Sequence, residues 1–200
     1  MDAAPLIPDA HEPFGLFDRW FAEAKIAEPG LAEAMSLATA TADGRPSLRL
    51  VLLKGAGQDG FVFYTNAESR KGAEIAENPF AAICFHWKSL RRQIRAEGML
   101  AEVSKDEADA YWASRPRASQ IAGWASEQTR PLASRGVLEA RVKEFEARFE
   151  GQPVSRPPQW TGFRLTPAHI EFWHDVPNRL HERLLFFRHG NHWHTERLFP

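Results

Sequence analysis

A single cysteine, Cys84, occurs in 200 residues, so no internal disulfide can form, and the usage argues for a reducing, cytoplasmic setting. It sits in the apolar stretch Ala-Ala-Ile-Cys-Phe and reads as a small core residue. Cys-rich zinc spacing is therefore absent. The eight histidines form no HxxxH pair with an adjacent acid, so no metal site is expected. Net charge is also missing. Twenty-five Lys+Arg against 26 Asp+Glu leave −1, and no global field attracts nucleic acid. No apolar run approaches the ~18 residues of a membrane-spanning helix. The opening MDAAPLIPDAHEPF lacks the basic start and apolar core of a signal peptide. No Gly-x-Gly-x-x-Gly, P-loop, repeat or linker appears. Residues 1–200 thus read as one domain, with 1–12 as a loose N-terminal segment.

What is present is a β-rich pattern in an ordinary composition, 44% hydrophobic and 26% charged. Phe14, Phe17, Phe21 and Ala24 at helical spacing predict a helix over 13–28. Alternation predicts strands over 35–42, 47–54, 61–65, 80–87, 91–103, 160–165, 169–174, 182–188 and 192–198. Tight turns such as Asp43-Gly44 and Gly190-Asn191 join several of them, so the sheet is mostly antiparallel. Helices are expected over 70–77 behind the cap Ser69, from the capping box Ser104–Glu107 to Ser114, beyond Pro116 to 125, and over 134–149. The fold class is mainly β with flanking helices, a small barrel.

Three groups of residues could carry chemistry. The first is Arg49, Lys54, Tyr64, Thr65, Ser69, Arg70 and Lys71, cations and hydroxyls at strand ends and a helix start. Unpaired charge is costly inside a sheet, and a helix N-terminus with adjacent cations suits a phosphate. The second is Tyr111, Arg115 and Ser119, spaced i, i+4, i+8, which would share one helix face if Pro116 preserves the alignment. The third is Phe172-Trp173-His174 with Arg179, His181 and Arg183, which share a face in an extended strand. Two guanidiniums beside one imidazole would depress its pKa. Decoration of strand ends and a solvated helix face are the plain alternatives. The basic run Arg91-Arg92-Gln93-Ile94-Arg95 reads as a sheet face, not as a nucleic-acid site.

In combination these motifs resemble the pyridoxine (pyridoxamine) 5′-phosphate oxidase family, flavin enzymes of vitamin B6 metabolism. The stretches that carry the likeness are Arg-Leu-Val-Leu-Leu-Lys, Phe-Tyr-Thr-Asn with Ser-Arg-Lys, Arg-Gln-Ile-Arg, Ser-Arg-Pro-Arg-Ala-Ser-Gln-Ile, Glu-Phe-Trp, Arg-Leu-His-Glu-Arg and Glu-Arg-Leu-Phe-Pro. The resemblance implies an FMN-binding split β-barrel that forms a homodimer with FMN at the subunit interface. It implies that Arg49, Tyr64, Thr65, Arg70 and Lys71 hold FMN, chiefly its phosphate end, with Gln128 and Thr129 completing the site. Gln93, Trp173 and Arg183 would contact the flavin end. Lys54 would serve cofactor and substrate alike, and Tyr111, Arg115 and Ser119 would join it on the substrate phosphate. Arg179 and His181 would act catalytically over the substrate ring. The implied reaction converts pyridoxamine 5′-phosphate and pyridoxine 5′-phosphate to pyridoxal 5′-phosphate while O2 becomes H2O2.

The chain departs from the family pattern at Thr129, where Ser is usual, and at Trp160-Thr161-Gly162, His174-Asp175-Val176-Pro177 and Glu182. Its first thirteen residues hold no Arg, Lys or Tyr, so an N-terminal lid over the substrate is not expected. Two other readings stay open: a split-barrel flavin oxidase of a phenazine-type substrate, and a non-catalytic carrier of FMN or pyridoxal phosphate.

Overall fold

Antiparallel pairing organises the molecule. The structure is a computed structural model that describes residues 5–190 and 192–200. Its elements are α1 (Pro13–Ala27), β1 (Ala34–Ala40), β2 (Pro46–Leu52), β3 (Gly55–Gly57), β4 (Gly60–Asn66), α2 (Arg70–Glu77), β5 (Phe80–Trp87), β6 (Arg92–Glu102), α3 (Lys105–Ser114), α4 (Arg117–Ala125), α5 (Arg135–Arg148), β7 (Trp160–His174), β8 (Glu182–His189) and β9 (His192–Arg197). The sheet runs β2-β1-β5-β6-β7-β4-β3, and β8 and β9 continue from β7. Every strand pair is antiparallel. The curled sheet with flanking helices is the expected split barrel. Among the described residues no helix is long and apolar enough to cross a membrane. Asn191, part of the expected β8–β9 turn, lies outside the described residues.

One expectation needs correction. Residues 160–165 and 169–174 are not two strands but the single 15-residue β7. Pro167 lies inside this strand, although proline cannot donate to a ladder. It is tolerated because β6 shifts register between Glu97 and Gly98, opposite Pro167. At Gly98 an added Cβ would stand 2.1 Å from Thr166 O, so only glycine lets the strands pass this closely. β7 can then pair with β4 through residues 160–165 and with β8 through 169–174.

The barrel core is aromatic. Glu12 caps α1, accepting from Phe14 N at 2.9 Å and Gly15 N at 2.7 Å. The helix then buries Phe14, Phe17, Trp20 and Ala24. Phe17 meets Phe61 at 5.0 Å and Phe85 at 5.5 Å between ring centroids. Each such ring contributes roughly 1.5–3 kcal/mol by leaving water. A second cluster, including Trp112, Ile121, Phe145, Phe149 and Trp160, lies under α3–α5. The capping box at α3 is half made. Ser104 Oγ accepts from Glu107 N at 3.1 Å, but the Glu107 carboxylate turns to Arg164, 2.9 Å from both oxygens.

The reading of 1–12 as a loose segment does not hold for residues 5–12; residues 1–4 lie outside those described. Ile7 is fully buried in the barrel core. Leu6 N and Ile7 N each donate to the Glu182 carboxylate at 3.0 Å, and Arg197 donates to Ile7 O at 2.9 Å. The sequence signal was there in Leu6-Ile7, a short apolar pair in a polar stretch. Ile7→Ala should cost about 2–5 kcal/mol. In a chain of this size that lowers Tm by roughly 2–4 °C per kcal/mol. Thermal unfolding checks this, and an unchanged Tm would mean that the segment is not held.

Candidate active site

A cleft of about 570 Å³ opens where β2, β4 and α2 face the end of α3 and the loop before α5. Arg49, Lys54, Tyr64, Thr65, Arg70, Lys71, Tyr111, Arg115, Gln128 and Thr129 all line it. The chain reaches this arrangement by local rules. β4 ends at Asn66, whose side chain accepts from Glu68 N at 2.7 Å and turns the backbone. Ser69 then caps α2 by accepting from Gly72 N at 3.4 Å. The positive end of α2 is thus presented with Arg70 and Lys71 beside it.

Lys71 is the most constrained cation. It is 7% exposed. Its Nζ donates to Gln128 Oε1 at 2.9 Å, Thr65 Oγ1 at 3.2 Å and Ser69 Oγ at 3.2 Å, all neutral oxygens. Burial, then the neighbouring Arg49 charge, lower its pKa to about 8, against an opposing pull from Glu74. Thr129 carries a backbone φ of 72°, a left-handed conformation rare for a β-branched residue. Its hydroxyl accepts from Arg70 N, the first N–H of α2, at 3.0 Å.

The far wall is aromatic. Tyr64 and Tyr111 stack at 3.9 Å, and Trp160 lies nearly parallel to Tyr64 at 5.2 Å. Gly162 permits this, since a Cβ there would stand 2.6 Å from the Tyr64 ring. Burial, followed by Glu107, pushes the Tyr64 phenol up, so it remains a donor. Arg115 sits between Trp112 and Trp160, 5.0 Å from each ring. Its buried NH1 has no hydrogen-bond partner among the described residues. A buried guanidinium nitrogen without a partner is costly and suits an incoming anion.

Six predicted residues lie elsewhere. Ser119 is half-buried on α4 and does not line the cleft, because α3 stops before Arg115 and the chain restarts at Arg117. Gln93, Trp173 and Arg183 stand in register across β6, β7 and β8. Arg183 grips Glu171 through Nε at 2.8 Å and NH2 at 3.0 Å. Arg179 is not in a strand. It is exposed in a turn with a φ of 62°, so Arg179, His181 and Arg183 do not share one extended face. The imidazole neighbour is also corrected. His181 Nδ1 lies 3.0 Å from Asp175 Oδ1, and the Val176 N–H donates to it at 3.1 Å. A carboxylate, not a pair of guanidiniums, borders the ring. Sequence reasoning missed Trp160, Asp175, Glu171 and Glu74. No local signal marked Glu171, because its arginine partners, Arg95 and Arg183, lie 76 and 12 residues away.

Comparison with known proteins decides the family. The family model described as pyridoxamine 5'-phosphate oxidase matches residues 24–149. The model of the pyridoxine 5'-phosphate oxidase C-terminal dimerisation region matches residues 160–200. The chain belongs to the pyridoxamine 5'-phosphate oxidase family. It is 61% identical over 189 residues to a pyridoxine/pyridoxamine 5'-phosphate oxidase of Sphingopyxis alaskensis, covering 94% of this chain and 88% of that one. A Rhodospirillum rubrum protein of the same name is 55% identical, with 94% and 96% covered. Among solved structures, PhzG from Burkholderia lata 383, in complex with tetrahydrophenazine-1-carboxylic acid, superposes with a TM-score of 0.90. It is 36% identical, with 96% of this chain and 94% of that one covered.

The Lys71 environment predicts proton-linked binding. With its pKa lowered from 10.5 to about 8, the ligand-free chain gains stability from this group as pH rises from 8 to 10.5. A phosphate-bearing ligand favours the charged lysine, so binding in that window should take up a proton and weaken as pH rises. Calorimetry in buffers of different ionisation enthalpy measures the uptake, and Lys71→Met should abolish it. Binding without proton exchange would show that Lys71 is already charged.

Proposed function

We propose that this chain is a cytoplasmic FMN-dependent oxidase that converts pyridoxamine 5′-phosphate and pyridoxine 5′-phosphate to pyridoxal 5′-phosphate, reducing O2 to H2O2. The observation that carries the reading is the convergence of Arg49, Arg70, Lys71, Lys54 and Arg115 on one cleft, with Arg115 NH1 buried and unpartnered. The donor set fits FMN: cations, hydroxyls and a helix N-terminus for its phosphate, and aromatic walls for flat rings. Arg49, Thr65, Arg70, Lys71, Gln128 and Thr129 hold the phosphate end, with Tyr64 beside them. Lys54, Tyr111 and Arg115 hold the substrate phosphate, while Ser119 is left outside the lining. FMN, when bound, supplies the acceptor for a hydride and passes the electrons to O2.

The protein orients the reactants and keeps charge fixed. Asp175 and Val176 fix His181 through Nδ1, and Nε2 makes no hydrogen bond among the described residues. Nε2 is therefore the atom suited to hold or move a substrate proton. Arg179, exposed on its turn, orients the substrate beside it.

The working unit is a homodimer. Gln93, Trp173, His181 and Arg183 do not line the cleft of their own chain, so a two-fold partner supplies them. The match to a dimerisation region over 160–200 supports this, as do the exposed Leu48, Leu50 and Leu52 on edge strand β2. Mixing equal amounts of Arg115→Ala and His181→Ala subunits, each strongly impaired alone, should restore about a quarter of wild-type activity on the phosphorylated substrate, because half the dimers then carry one intact site. No recovery after subunit exchange would refute the shared site.

Similarity to the phenazine-bound structure favours a second reading, oxidation of a substrate without phosphate. Oxygen uptake separates the two. Hydrogen bonds to charged groups contribute roughly 1.5–3 kcal/mol each, so unphosphorylated pyridoxamine should lose at least ~10³ in kcat/KM. Arg115→Ala should shrink that discrimination. Similar rates with pyridoxamine and its phosphate would favour the phenazine-type substrate.

A further inference from the structure

Glu74 is a buried acid beside a site built for anions. It lies on α2 one turn after Arg70 and is 3% exposed. Its carboxylate accepts from three elements: Thr39 on β1, Ser47 on β2, Arg49 NH2 on β2 at 3.2 Å, and Arg70 Nε on its own helix at 2.8 Å. Arg49 is held further by Leu37 O at 3.1 Å and by the Thr39 and Ser47 hydroxyls. Arg49 and Arg70 line the cleft; Glu74 and Thr39 do not.

A carboxylate in this position is unfavourable twice over. It is a charge out of water, and it repels the anion that the cleft is suited to bind. Its presence needs a compensating gain. The two guanidiniums beside it repel each other and sit on long, rotamer-rich stems, so unrestrained they would sample many positions. We propose that Glu74 is a positioning residue that fixes Arg49 and Arg70 as a preset pair for the phosphate end of FMN without touching the ligand itself. This rests on the assignment of Arg49 and Arg70 to FMN made above. The hydrogen bonds that hold Glu74 outweigh the effect of burial and keep its pKa at about 2, so it remains charged at neutral pH.

Repulsion and positioning predict opposite signs for one substitution. Glu74→Gln removes a negative charge near the phosphate, and repulsion alone would then tighten FMN binding. Loss of positioning weakens it, by about tenfold or more for one charged hydrogen bond no longer preset. The experiment titrates FMN and riboflavin into the ligand-free protein by flavin fluorescence, with Tm measured alongside. Glu74→Gln should weaken FMN about tenfold or more and leave riboflavin unchanged, and Glu74→Asp should fall between. Thr39→Val, which removes the hydroxyl bridging Glu74 and Arg49 but keeps the charge, should show a smaller loss in the same direction. It decides the matter if Glu74→Gln does not fold. Unchanged or tighter FMN binding in a folded variant, or a lower Tm with the FMN-to-riboflavin ratio intact, would overturn the proposal. Equal affinity of the wild type for FMN and riboflavin would instead overturn the assignment of Arg49 and Arg70.

Discussion

The pairing of β7 along both of its edges is the constraint on which the structure depends. One 15-residue strand carries β6 on one side and divides the other between β4 and β8. Its first half bears Trp160 and Gly162, which build the aromatic wall of the cleft. Its second half bears Glu171 and Trp173, which organise the Arg183 cluster. The irregularity at Gly98 lets both halves belong to one strand. Without it Pro167 would end the ladder, and the two halves would lose their fixed spacing.

Charge is distributed by a similar economy of neighbours. Lys71 is surrounded by neutral oxygens, Arg115 by aromatic faces, and Arg49 and Arg70 by one shared carboxylate. Each arrangement limits how far a cation is neutralised before a ligand arrives. Glu171 does the opposite for Arg183. It takes Nε and NH2 of that guanidinium, and this hydrogen bonding raises the Arg183 pKa further.

Much of this was legible in the sequence, for reasons that can be named. Strand and helix boundaries followed alternation, turn residues and caps, and the capping serine Ser69 placed α2 correctly. The cleft cations could be read because Arg and Lys are unexpected at strand ends and are close together in sequence. Contacts across long separations could not be read. Nothing in the sequence of α2 marks Glu74 as buried, because Thr39 on β1 and Ser47 on β2 donate to it from afar. Asp175 met His181 only because the chain turns back at Pro177–Arg179. Ile7 stands out as apolar in a polar stretch, but nothing nearby shows that Glu182, 175 residues on, accepts its N–H. Ser119 failed differently: helical spacing was counted across Pro116, where the backbone leaves the helix.

β2 carries two sets of residues that must not be exchanged. Ser47, Arg49 and Val51 alternate with Leu48, Leu50 and Leu52, which are 68%, 71% and 50% exposed. Because the alternation has a period of two, inserting or deleting one residue would swap the sets. The leucines would take the place of Arg49, and the arginine would stand on the apolar side. Point changes can tune either side of this strand separately, but its length cannot drift. In an evolving lineage β2 should therefore tolerate substitution while rejecting every odd-numbered insertion or deletion.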